Sequence, residues 1–160
     1  MQAPHSAPIQ KLFAAAPSVG DLLALCEENY RYLHSLVPQL RRLQGAHCSS
    51  RPDHQDLHLT ILEQTPYTTL LRLTYRFSAA GDALSDPDVL LRVYHDARQV
   101  EVEDLRQQNL PTHRLYEAPG LLNKWRLNLF VSKWLAFCLG QGHLFVDDVN
   151  SLGQPALSAT

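Results

Sequence analysis

The stretches LHLTIL at residues 57–62 and LLRLTYRF at residues 70–77 decide the fold class. In both, apolar side chains occupy every second position, with mostly polar residues between them. This alternation is typical of β-strands with one buried face and one face in water. Residues 91–94 and 100–103 repeat the pattern. Because parallel neighbours need a long crossover, we predict an antiparallel sheet of about four strands.

A helical pattern precedes the strands. Ser18 and Asp21 have the spacing of a capping box, with aspartate in place of the usual glutamate. Apolar residues then recur every three or four positions, which predicts a helix from Asp21 to Leu36. Pro38 should end it, because proline lacks the N–H that the next turn needs. The polar stretch at residues 47–54 is interpreted as a loop.

A second helical pattern follows the strands. Asn123 is a candidate cap, and Gly140 and Gly142 are candidate terminators. Residues 109–120 form a long connection before it, and residues 144–146 are a candidate short strand. We therefore predict an α+β fold: an N-terminal helix, the antiparallel sheet, and a long C-terminal helix packed on one sheet face.

Composition narrows the class of protein. The chain has 160 residues, of which 45% are hydrophobic and 19% charged, with a net charge of −2. We predict a single α+β domain at residues 18–146, a flexible leader at 1–17 and a disordered tail at 147–160. The charge balance makes nucleic acid an unlikely partner, and no apolar run is long enough to span a bilayer.

The three cysteines indicate a reducing compartment. Cys26 and Cys138 fall inside apolar helical patterns, where a free cysteine packs as a small hydrophobic residue. Cys48 lies in the polar stretch, and an odd number of cysteines does not form a closed disulfide framework. We expect free thiols and a cytoplasmic location.

Several short motifs, in order and spacing, resemble one family. They are LCEENY at 25–30, LTILE at 59–63, YTTL at 67–70, VYHDA at 93–97, and Lys124, Asn128, Trp134 and Gly142 in the last helical pattern. Over residues 22–142 the chain resembles the YqiB-like family of small bacterial proteins of unknown function. The resemblance implies a cytoplasmic bacterial protein and no particular reaction. Family genes often lie beside genes for nucleotide-hydrolysing enzymes, which favours a nucleotide-linked role.

His95 and Asp96 are the candidate catalytic residues. Histidine titrates near neutral pH, so His95 is suited to move a proton and Asp96 to orient it. The alternative is a hairpin turn in which Asp96 accepts backbone N–H bonds and His95 packs at the sheet edge. Glu101 and Glu103 share a strand face as a weaker acid–base pair, and the sequence has no phosphate loop or serine nucleophile elbow.

A set of polar and aromatic residues forms the candidate ligand site: Tyr67, Thr68, Arg92, Tyr94, His95, Lys124 and Asn128. Arginine, lysine and threonine bind phosphate, and tyrosine stacks on a base. This interpretation requires Thr68, Arg92, Lys124 and Asn128 to converge. The alternative is that the arginines pair across strands with Glu101 and Glu103, Lys124 is solvated and Asn128 packs by hydrogen bonding.

We predict neither a metal site nor a cofactor. His54 and His58 are four apart, with Cys48 upstream, but that spacing joins two ligands only on a helix, and no Cys-x-x-Cys pair is present. The leading hypothesis is a non-catalytic binding or regulatory module for a protein partner or a small phosphorylated ligand. The alternative is an enzyme or sensor acting on a nucleotide or another phosphorylated metabolite.

Overall fold

A computed structural model describes residues 17–79, 82–106 and 120–146. These contain helix α1 (Val19–Leu36), a 3₁₀ turn (Leu40–Arg42), strands β1 (Gly45–Ser49), β2 (Asp56–Gln64), β3 (Thr68–Ala79), β4 (Asp82–Tyr94) and β5 (Gln99–Arg106), and helix α2 (Gly120–Gly140). The predicted tail, all but the last residue of the predicted leader and all but Gly120 of the predicted long connection lie outside the described residues.

The five strands form one sheet in the order β1-β2-β3-β4-β5, and every neighbouring pair is antiparallel. The predicted α+β class is therefore confirmed, with five strands rather than about four. The extra strand is β1, and the prediction of a loop across residues 47–54 was wrong for its first three residues. Strand β1 carries no alternating apolar pattern. Backbone pairing with β2 holds it in the sheet.

One face of the sheet is buried beneath the two helices. The apolar side chains of β2 to β5 on this face meet the inward faces of α1 and α2, and the two helices also pack on each other. The most deeply buried side chains are Leu33, Leu36, Leu57, Leu59, Leu71, Leu73, Leu91 and Leu135. Burying one such side chain stabilises a fold by about 1.5–3 kcal/mol, so this face carries most of the stability.

Local signals set the ends of α1. The predicted capping box is present, because Ser18 Oγ accepts from the Asp21 N–H at 3.1 Å and Asp21 Oδ2 accepts from the Ser18 N–H at 2.9 Å. The helix ends at Leu36, before Pro38. The chain then turns through the 3₁₀ turn and reaches β1 at Gly45, whose φ of 73° is readily adopted by glycine.

Helix α2 begins at Gly120, three residues before the predicted cap Asn123. Asn123 is instead a half-buried residue inside the first turns. After α2, residues 144–146 form no strand, contrary to the sequence-based expectation. The backbone N–H of Phe145 donates to the Leu36 carbonyl at 2.9 Å, and the Phe145 ring enters the core.

Asn128 joins α1, α2 and β5. It is fully buried, and its Oδ1 accepts from the Val102 N–H at 3.3 Å and from Asn29 Nδ2 at 3.4 Å. Its own Nδ2 donates to the Lys124 carbonyl at 2.8 Å. Buried polar groups that lose such a partner keep the full desolvation cost. Asn128 is thus part of the framework and is closed to a ligand.

We predict that Asn128→Ala lowers the free energy of unfolding by about 2–4 kcal/mol, because it removes the partner of a buried backbone N–H and leaves a small cavity. Lys124→Ala, one helical turn away, is the matched control and should cost less than about 1 kcal/mol, since its ion pair is exposed. Urea denaturation of the three proteins measures both values. Equal costs for the two variants would contradict the assignment of Asn128.

Candidate functional site

The sheet divides the predicted ligand residues between its two faces. Leu91 and Val93 point into the core, and His95 continues that alternation past the end of β4 with 7% of its surface exposed. Arg92 and Tyr94 lie on the opposite, open face. The predicted group of Arg92, Tyr94 and His95 therefore does not form one site.

Carboxylates surround the predicted cations of the open face. Arg92 Nε lies 2.7 Å from a carboxylate oxygen of Glu103, and Lys124 Nζ lies 3.3 Å from one of Glu101. Tyr94 is half-buried beside them. Burial is the main reason that the pKa of its phenol is raised, and the two glutamates raise it further. The cross-strand pairing of Arg92 weighed from the sequence is present, and the charges of this cluster largely balance.

The other predicted residues serve local structure. Tyr67 is 65% exposed in the turn between β2 and β3. The Thr68 and Thr65 hydroxyls are 2.8 Å apart and stabilise that turn. Asp96 is exposed in the turn after β4. The predicted convergence of Thr68, Arg92, Lys124 and Asn128 is only partial. Arg92 and Lys124 lie in one cluster with Glu101 and Glu103, whereas Asn128 is buried in the framework.

His95 belongs to a chain of side-chain hydrogen bonds on the core face. Its Nε2 lies 2.7 Å from the hydroxyl of buried Thr69, and that hydroxyl donates to Oε1 of Gln64. Gln64 Nε2 in turn donates to the carbonyls of Leu40 at 2.9 Å and Leu43 at 3.2 Å. The network thus links the end of the sheet to the 3₁₀ turn.

The network determines where His95 carries its proton. Carbonyls only accept, so the Gln64 amide must present its NH₂ group to them and its oxygen to Thr69. The Thr69 hydroxyl therefore donates to Gln64, and it must accept from His95. Neutral His95 is protonated at Nε2 and keeps a lone pair at Nδ1.

Burial lowers the pKa of His95 below its ordinary value of 6.5. The positive charge of Arg41 lowers this pKa further, and the carboxylate of Asp96 partly opposes both effects. The imidazole is therefore neutral at pH 7 in the free protein.

A cavity of about 330 Å³ lies over His95, where the end of α1 and the 3₁₀ turn face the end of β4. Its size is at the lower end of the range for small-molecule sites. Its apolar part consists of Leu33, Pro38, Leu40 and Val93, and its polar part of Tyr30, His34, Gln39, Arg41, Arg42 and His95. The rings of Tyr30 and His34 are stacked, with centroids 5.9 Å apart and planes within 5°.

The cavity is positively charged. Two arginines and two histidines line it, and none of the described lining residues is an aspartate or glutamate. Both arginines are exposed, and Arg41 Nη2 donates to the Pro66 carbonyl at 2.7 Å, which orients its guanidinium group. Guanidinium groups recognise phosphates and carboxylates through paired N–H donors. The arrangement is thus suited to bind a small anion.

Of the described residues that line this cavity, His95 is the one predicted from the sequence as a site residue. Tyr30 and His34 are four apart on α1 and share a helix face, which a helical pattern already indicates. Arg41 and Arg42 follow the helix end at Pro38, but their position over β4 depends on how the chain turns back. Thr69, rather than Thr68, is the threonine on the buried face, and the alternation along β3 indicates that choice.

A second group of chemically active side chains lies on the open face, away from the cavity. Cys48, Asp56 and His58 bring a thiol, a carboxylate and an imidazole within 4.8 Å of one another. These residue types bind transition-metal ions.

The pKa of His95 predicts a pH dependence of stability. The unfolded chain binds a proton at His95 near pH 6.5 and the folded chain only at lower pH, so stability falls as the pH decreases below that value. His95→Gln keeps a donor for Thr69 and does not titrate. Its stability should therefore fall less than that of the natural chain between about pH 7.5 and 5.5, as measured by urea denaturation. The same loss in both proteins would contradict the prediction.

The comparisons with known proteins identify a family and no individual relative. No curated protein and no solved structure gives a significant match to the chain. No helix within the described residues has the length and apolar character needed to cross a membrane. The model of the protein family of unknown function DUF1249 matches residues 32–144, which include the end of α1, the 3₁₀ turn, all five strands and α2. The chain belongs to the DUF1249 family.

Proposed function

We propose that the protein is a non-catalytic binding module whose ligand is a small phosphorylated metabolite held in the cavity over His95. The observation that carries this proposal is the lining of two arginines and two histidines with no acidic residue among its described members. A positively charged cavity is unfavourable for a cation or a neutral apolar molecule. The negative charge of a phosphate group balances the positive charge of the arginines.

In this proposal each wall of the cavity binds a different part of the ligand. Arg41 and Arg42 bind the phosphate, with Arg41 already oriented by the Pro66 carbonyl. The stacked pair of Tyr30 and His34 forms an aromatic wall beside them, which suits a planar ring such as a nucleobase. A nucleotide is therefore the favoured member of the class.

Protonation of His95 would strengthen binding. A bound phosphate adds negative charge beside an imidazole that is otherwise neutral at pH 7, and this charge favours the protonated form. The cavity thus gains a third positive charge only when the anion is present, which avoids burying an uncompensated charge in the free protein.

We do not propose nucleic acid as the ligand. The arginines of the open face have acidic partners, since Arg92 pairs with Glu103 and Arg72 Nε lies 3.3 Å from a carboxylate oxygen of Asp88. A surface that attracts a phosphate backbone needs unneutralised positive charge.

The cellular placement is also a proposal. The chain resembles the YqiB-like family, and its three cysteines are free thiols, of which Cys26 and Cys138 are buried. We propose a bacterial protein of the cytoplasm, where free thiols persist.

An enzyme acting on a nucleotide or another phosphorylated metabolite is the second candidate. It is favoured by one observation, the unprotonated Nδ1 of His95 in a ring that lines the cavity beside two arginines. A general base needs such a lone pair near the bound substrate. If this function is correct, one phosphorylated compound is turned over, and His95→Gln abolishes that turnover while the protein stays folded.

The binding function predicts selective affinity for anions. Calorimetric titration with pyrophosphate, ribose 5-phosphate, AMP and ATP should show binding of at least one, with adenosine as the uncharged control. Arg42→Gln and Arg41→Gln should each weaken that binding by about 10- to 150-fold, because each removes charge-assisted hydrogen bonds of about 1.5–3 kcal/mol.

Arg31→Gln is the matched control, since Arg31 lies exposed on α1 and does not line the cavity. It makes the same change in net charge and should leave the affinity within about twofold, because a charge outside the cavity makes no hydrogen bond to the ligand and is screened by salt. If all three substitutions weaken binding equally, the anion is attracted by the overall positive charge and not bound by the cavity arginines. Absence of binding by the whole panel would refute the proposal and direct the search to a protein partner.

A further inference from the structure

Cys48, Asp56 and His58 lie together on the open face at the edge of the sheet. Cys48 on β1 is directly opposite His58 on β2, and Asp56 is two residues before His58 on the same face. Cys48 Sγ lies 3.9 Å from His58 Nε2, and the ligand atoms of all three residues are within 4.8 Å of one another. The register between β1 and β2 brings these three side chains together, and their spacing in the sequence does not.

The cluster has the dimensions of a zinc site. With Zn–S near 2.3 Å and Zn–N near 2.0–2.1 Å, a tetrahedral ion separates sulfur from nitrogen by about 3.6 Å. The observed separation is 3.9 Å, so a small change of side-chain torsion angles is sufficient. The thiol selects against Mg²⁺ and Ca²⁺, which prefer oxygen ligands, and favours Zn²⁺.

We propose that Cys48 Sγ, Asp56 and His58 Nε2 bind a zinc ion at the β1–β2 edge, with a fourth position open to water. Three protein ligands plus one open position is the arrangement of catalytic rather than purely structural zinc sites. The site lies on the opposite sheet face from the cavity, so it does not depend on the proposed binding function.

The surroundings of the cluster permit entry and modulate affinity. Cys48 and Asp56 are exposed, so the ion needs no opening of the fold. Ser50 Oγ lies 3.7 Å from Cys48 Sγ, within reach of a water on the ion. Arg76 on β3 is directly opposite Asp56, and its positive charge opposes that of the ion. Arg76→Gln should therefore tighten metal binding.

The test is a titration of the full, reduced chain with Co²⁺, a spectroscopic substitute for zinc, followed by displacement with Zn²⁺. We expect one equivalent to bind and to produce a thiolate-to-cobalt absorption band, which Zn²⁺ abolishes. Cys48→Ser should remove the band and His58→Gln should weaken binding by at least about tenfold. His54→Gln is the matched control, an exposed histidine of the adjacent loop outside the cluster, and should change nothing.

Alkylation of Cys48 provides a second measurement that does not depend on the cobalt absorption band. Cys48 is exposed whereas Cys26 and Cys138 are buried, so a thiol reagent modifies Cys48 in the folded chain. One equivalent of Zn²⁺ should slow that modification in the natural chain, and His58→Gln should restore it. Three results would each overturn the proposal. They are cobalt binding without the thiolate band, a loss of metal affinity in His54→Gln equal to that in His58→Gln, and alkylation unaffected by Zn²⁺.

Discussion

The side-chain amide of Gln64 connects the two parts of the protein that enclose the cavity. Its NH₂ group binds two carbonyls around the 3₁₀ turn, and its oxygen accepts from Thr69 on the sheet. The amide thereby helps to hold the 3₁₀ turn, which carries Arg41 and Arg42, over the end of β4. Because the amide has only one orientation that satisfies both sides, it also determines the protonation of His95.

The placement of charge distinguishes the two faces of the sheet. On the open face, Arg92 and Arg72 have acidic partners across the strands, so the surface is nearly neutral in spite of its many charges. In the cavity, Arg41 donates to a backbone carbonyl, which orients the guanidinium, and no acidic side chain of the described residues pairs with it. The same residue type is therefore structural at one place and available for a ligand at the other.

Periodicity predicted most of the fold, because a strand or a helix with one buried face repeats locally. The alternation at residues 57–62 and 70–77 predicted the buried face correctly. Ser18 and Pro38 mark the two ends of α1 as expected. Strand β1 escaped prediction since its residues have no apolar alternation and are ordered by pairing with β2. The start of α2 was misplaced at Asn123, where a residue of good capping propensity lies inside the helix.

The sequence by itself determined the fold class and the buried face of each central strand, because both follow from the spacing of neighbouring residues. Only the tertiary structure decided which side chains meet. The cavity joins Tyr30 and Arg42 to His95, and the open face joins Cys48 to His58, through a chain reversal and a strand register. Both depend on how distant segments pack, and no local spacing encodes that packing.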